Sequence, residues 1–97
     1  MTKEELQAML EDENLFLMDI READELEAEE GIGGAKHIPM GKVFTEAFKG
    51  NIPKDKKVVS ICKTGGRCRV LTNHLKERGF DADFLEGGLN AWKGAES

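Results

Sequence analysis

Cys62 closes the apolar run Val58-Val59-Ser60-Ile61 and is followed by Lys63, Thr64, Gly65, Gly66 and Arg67, with a second cysteine at Cys68. An ionised thiol is a strong nucleophile, and ionisation is favoured beside cations and at helix N-termini. Gly65 and Gly66 free the backbone to curl, so that successive N–H groups can turn inward as an anion-binding nest. The residues after Arg67 read as helix, whose N-terminal dipole would point at the same spot. Lys63 and Arg67 add formal positive charge. Surroundings of this kind bring a cysteine from about 8.5 down to roughly 3.5–7.5. The chemistry implied is nucleophilic attack by Cys62 on an anionic substrate bound by Lys63, Thr64, Gly65, Gly66 and Arg67. The opposing reading is a buried core cysteine at a strand end. The glycine pair and the flanking cations favour the reactive thiol.

A thiol used this way needs a scaffold to hold it. The chain has 97 residues, enough for one domain with a single core. Fourteen basic and nineteen acidic residues leave a net charge of -5. That balance argues against nucleic-acid or anionic-membrane partners, both of which need a positive surface. The start, Met1-Thr2-Lys3-Glu4-Glu5, is too charged for a signal peptide, and no apolar run approaches a membrane span. With two cysteines and no export signal, the expected setting is the reducing cytoplasm.

Thr2 and Glu5 match a capping box before a short helix carrying Leu6, Met9 and Leu10. "LFLMDI" (15–20) reads as a buried strand. "READELEAEE" (21–30) holds six carboxylates and reads as an exposed helix anchored by Leu26. Its acidic face is expected to be solvated, with docking to a basic partner as the lesser alternative. The segment 31–39 reads as loop. Residues 42–50 form a helix with Val43, Ala47 and the phenylalanines 44 and 48 on its apolar stripe, ending at Gly50. "VVSIC" (58–62) is a buried strand, and 68–79 a helix presenting Val70, Leu71, His74, Leu75 and Arg78 in register. A last strand (82–88) and a closing helical turn (89–94) follow. Alternating strands and helices predict one α/β domain, 1–97, with a small, mostly parallel sheet and helices on both faces.

Four stretches, in order, resemble the single-domain rhodaneses, a sulfurtransferase family with a three-layer α/β fold. "LMDIRE" (17–22) resembles the first core strand with its Asp-x-Arg-Glu signature. "GGAKHIP" (33–39) resembles the Gly-Ala-x-His-Ile-Pro loop, "VVSICKTGGR" (58–67) the catalytic strand and loop, and "ADFLEGGLNAWKG" (82–94) the closing Leu-x-Gly-Gly-x-x-x-Trp segment. The resemblance implies that Cys62 becomes a persulfide. It would take the outer sulfur of thiosulfate or a persulfide and pass it to cyanide, a thiol or a protein acceptor. It implies no metal or organic cofactor, and the chain is expected to act as a monomer. Two departures stand out. Gly31 and Gly33 replace the His and Pro of the family's usual Gly-His-Ile-Pro-Gly-Ala, and Cys68 stands where the family commonly has Ser.

Rival readings use the same thiol. A Cys-x5-Arg phosphatase loop needs arginine at position 68, where this chain has Cys; Arg67 is one place early and Arg69 one late. A persulfide carrier, or a thiol-disulfide switch in which Cys68 resolves an oxidised Cys62, remains open beside simple packing of Cys68 at the helix start. A zinc site lacks the Cys-x2-Cys spacing. Asp19 and Arg21 are expected to be structural near the site, His37 a hydrogen-bonded spacer, His74 a half-buried packing residue and Trp92 an anchor for the last segment.

Overall fold

Val58, Val59 and Ile61 are fully buried because β3 (Lys57–Ile61) runs between two other strands and is covered on both faces. The computed structural model describes residues 1–94; residues 95–97, the end of the expected domain, lie outside the described residues. β1 (Leu15–Asp19) pairs with β3 on one side and with the two-residue edge strand β2 (Lys36–His37) on the other. β4 (Asp81–Phe84) pairs with the far side of β3, giving the order β2-β1-β3-β4, all parallel. Asp19 aligns with Ile61, and Ser60 with Phe84, so the strands end level and their following loops share one rim.

Side chains alternate across a strand, and here the alternation divides the core into two layers. Met18, Val58 and Ala82 face α3 (Val43–Phe48) and α4 (Gly66–Glu77), meeting Val43, Leu71, Leu75 and Phe80. Leu17, Val59 and Ile61 face the other way, against Leu6 of α1 (Lys3–Met9) and Leu89 of α5 (Gly88–Trp92). Helices therefore cover both faces of a parallel sheet, as the alternating sequence predicts. α2 (Ala23–Ala28) buries no residue completely and lies over the rim instead.

Several elements differ from the sequence reading for identifiable reasons. β2 falls inside the expected loop 31–39; its side chains are exposed, so no apolar pattern marks it, and backbone pairing with β1 alone defines it. α4 begins at Gly66, two places early, which puts Arg67 and Cys68 in its first turn. Phe48 is 93% exposed rather than on the stripe with Val43. Val43 and Ala47 stack one turn apart, whereas position 48 lies about 140° further round the helix from position 43. His74, Val70 and Arg78 are exposed; α4 buries Cys68, Leu71, Thr72 and Leu75, and His74 meets Phe44 edge-on at 6.2 Å. Trp92 packs half-buried against the Leu6 side of the core.

α5 is joined directly to the end of β3. Leu89 N–H donates to the Cys62 carbonyl at 2.9 Å and Asn90 N–H to the Lys63 carbonyl at 3.1 Å. Gly88 makes this approach possible. Its φ is +59°, and a Cβ there would overlap the Cys62 and Lys63 carbonyl oxygens. Gly88→Ala is expected to lower stability by at least about 2 kcal/mol through backbone strain and collision. Chemical denaturation measures this, and an unchanged midpoint would contradict the close-approach role.

Candidate active site

Cys62 is delivered fully buried to the carboxyl end of the central strand, the rim where open α/β sheets bind ligands. Gly65 then takes φ +95°, a left-handed conformation that glycine adopts without a Cβ penalty, and α4 starts at the next residue. The Cys62 and Lys63 carbonyls are engaged by α5, and the amide hydrogens turn to the inner side of the loop. Gly65 N–H donates to Cys62 Sγ at 3.1 Å. The Cys68 thiol and the N–H groups of Cys68 and Thr64 add to its effect in favouring the ionised sulfur.

The Cys68 thiol is the strongest of these influences. Together with the three amides it outweighs burial and holds the Cys62 thiol well below its ordinary value, at about 5. Cys68 is pushed the opposite way, first because it supplies the proton shared with Cys62 and then because it is itself buried. The pair therefore carries one negative charge at neutral pH, on Cys62.

The nearby cations are not free. Arg67 pairs with Glu25 through both Nη atoms, at 2.7 and 2.8 Å, and this fork holds the Glu25 carboxyl at about 2. Lys63 Nζ lies 2.9 Å from Glu29 Oε1, and Lys93 Nζ 3.3 Å from Glu29 Oε2. Half-exposed pairs of this kind contribute only about 0–1 kcal/mol to stability. Their weight lies in the local charge they set. The charge run at 22–30 suggests a solvated face, yet two of its carboxylates pair with the cations of the cysteine loop. The signal available was Glu25-x3-Glu29, a spacing that places both on one face of α2 and its cap.

Asp19 and Arg21 explain how α2 is held there. Both are buried, and Arg21 Nε and Nη2 bind the Asp19 carboxylate at 2.8–3.1 Å. Arg21 Nη1 donates to the Glu25 and Glu29 carbonyls at 3.3 and 2.9 Å, tying the end of α2 to the rim. Removing one partner of such a buried pair strands the other charge and costs about 3–5 kcal/mol. A Cβ on Gly31 would lie 2.8 Å from Asp19 Oδ2 and 2.9 Å from Arg21 Nη2, so a larger residue there requires the pair to move. His37 Nε2 sits 2.7 Å from the Arg21 carbonyl oxygen, away from the sulfur chemistry. On the other side of the loop, Thr64, Gly65 and Gly66 line a cavity of about 380 Å³ with Arg69, Phe84, Glu86 and Gly87.

This loop geometry on a four-stranded parallel sheet has counterparts. A family model described as the Rhodanese-like domain matches residues 2–95. The chain belongs to the rhodanese-like family. Among its relatives is "Putative sulfurtransferase YtwF" of Bacillus subtilis, 41% identical over 92 residues, covering 95% of this chain and 84% of that one. A protein named "Sulfurtransferase" from Allochromatium vinosum is 32% identical, covering 89% and 78% respectively. The crystal structure of a rhodanese-like domain protein from Staphylococcus aureus superposes with a TM-score of 0.82 at 29% identity, covering 95% of this chain and 88% of that one. A Cys-x5-Arg loop has no counterpart here: position 68 is the thiol that donates to Cys62, and Arg69 is exposed on the cavity side.

Ultraviolet titration of thiolate absorbance is expected to show one cysteine ionising with a midpoint at about 5. Cys68→Ala removes the strongest donor and should raise that midpoint by about one unit or more. An unchanged midpoint would mean that the amides alone hold the thiolate.

Proposed function

We propose that this chain is a rhodanese-type sulfurtransferase that moves a sulfane sulfur through a persulfide on Cys62. Sulfur transfer in general is supported by the family and by relatives named as sulfurtransferases. The observation that carries the residue assignment is the buried Cys62 sulfur at the end of the central strand, accepting from Gly65 N–H in a loop that holds its thiol well below the ordinary value.

The cycle has two displacements. The Cys62 thiolate attacks the outer sulfur of thiosulfate or a persulfide, and the donor S–S bond breaks. Sulfite or a thiolate leaves with the electron pair. The Cys62 persulfide then offers its outer sulfur to cyanide or a thiol, and Cys62 departs as thiolate, ready for another turn. The Gly65, Thr64 and Cys68 amides suit this chemistry because they stabilise sulfur-borne negative charge before and after each transfer without reorganising. Lys63, Thr64, Gly65, Gly66 and Arg67 surround the reacting sulfur, and no cofactor enters either step. The acceptor is a small thiophile or a protein thiol. Among the described residues no helix is long and apolar enough to cross a membrane. We place the activity in the cytoplasm, with the chain acting as a monomer.

A second reading is favoured by one contact, the Cys68 thiol on the Cys62 sulfur. With an external oxidant, Cys68 would resolve oxidised Cys62 as a disulfide, making the module a redox switch or a persulfide carrier without turnover.

Intact-protein mass after brief incubation with a sulfane donor separates the two. Transfer chemistry predicts a gain of one sulfur on Cys62, removed by cyanide and abolished in Cys62→Ser. Retained activity in that variant would overturn the assignment. Cys68→Ser should form the persulfide at a near-normal single-turnover rate, since Ser still donates a hydrogen bond. A switch instead predicts loss of two hydrogens under mild oxidant, and this loss should vanish in Cys68→Ser.

A further inference from the structure

The acidic segment 22–30 is not needed for the persulfide chemistry, yet it supplies the groups closest to the loop's cations. Arg67 spends its planar fork on both Glu25 oxygens, and Lys63 is taken by Glu29. An anion approaching Arg67 must displace a bidentate carboxylate or sit beside it. At the loop itself Glu25 meets Arg67, and Glu29 meets Lys63 and Lys93. Arg21 is already matched by Asp19. The two cations that flank Cys62 in the sequence are therefore already held by carboxylates of α2 and its cap. The cavity on the other side is lined by Arg69 and by Glu86, the latter 3.0 Å from the Met1 ammonium.

We infer that Glu25 and Glu29 are specificity-determining residues that screen Cys62 against dianionic donors, so that the site draws its sulfur from a hydropersulfide of low net charge rather than from thiosulfate. This rests on the persulfide reading of Cys62. Both routes form the same bond, from Cys62 Sγ to the donor's outer sulfur. They differ in what must approach and leave. Thiosulfate arrives as a dianion and expels sulfite, whereas a hydropersulfide expels a single thiolate and returns its proton to solvent. A dianion depends on the flanking cations, which Glu25 and Glu29 occupy, more than a hydropersulfide of low net charge does. Arg21 makes the screen durable, because it anchors the backbone carbonyls of the same two residues.

The test compares thiosulfate with cysteamine hydropersulfide, which is zwitterionic when its sulfur is ionised, by following sulfur loading of the protein by mass. The wild type is expected to favour the hydropersulfide by at least about tenfold in kcat/KM, and Glu25→Gln and Glu29→Gln to narrow that preference by about tenfold when combined. The change should fall mainly on the KM for thiosulfate. Gln keeps the size of each side chain and one acceptor oxygen, so packing is preserved while charge is lost. Each single variant should also act in the same direction. A preference that is the same in wild type and variants overturns the screen while leaving the persulfide reading intact. Good use of thiosulfate by the wild type, lost in Arg69→Ala, overturns it too, because the anion would then be held from the cavity side. Failure of both donors to load Cys62 removes the persulfide reading and the screen with it.

Discussion

A buried thiolate is tolerable only where enough donors meet it, because an ionised group out of water costs many kcal/mol when unpaired. At the end of β3 that requirement shapes everything nearby. Gly65 N–H donates to a single sulfur, and the amides of Thr64 and Cys68 and the Cys68 thiol further favour its ionised form. They do so because the loop's first two carbonyls are drawn off by α5 and because Gly65 can adopt the left-handed turn. The sheet supplies the position, α5 the orientation of the peptide planes, and α4 the final amide and the neighbouring thiol. None of these elements makes the anion site alone.

The same economy appears at the rim. Arg21 is fully buried although its charge would favour water, and it is satisfied by Asp19 and by two carbonyls at the end of α2. That arrangement puts an otherwise poorly anchored acidic helix over the cysteine loop. Its carboxylates then neutralise the loop's cations, so stabilisation of the Cys62 charge falls chiefly to hydrogen bonds rather than to Arg67 or Lys63. Dipoles held by backbone geometry act at contact range and are little affected by salt, unlike half-exposed ion pairs.

Much of the architecture was legible along the chain. The apolar run at 15–20 and the β-branched run at 58–62 are buried strands because a parallel sheet covered on both faces needs apolar residues on both sides. The helix ends at Gly50 and Gly79 carry the expected positive φ. The elements that escaped were those defined by partners rather than by their own residues. β2 has no apolar side chain to announce it, and Phe48 reads as core by composition while its helical phase points it to solvent. Glu25 and Glu29 were hidden for the same reason, since a charge run looks alike whether it faces water or an arginine.

By itself, the sequence determined the position of the reactive thiol, the turn that follows it and the alternation of strands and helices, because these depend on local residue types and periodicity. Tertiary structure decided the ionisation of Cys62, the proton on Cys68 and the neutralisation of Lys63 and Arg67. Those properties come from groups up to 42 residues apart in the chain, as Glu25 and Arg67 are. Electrostatic and hydrogen-bond energies depend on distance and orientation in space, and only folding brings such groups within a few ångströms of one another.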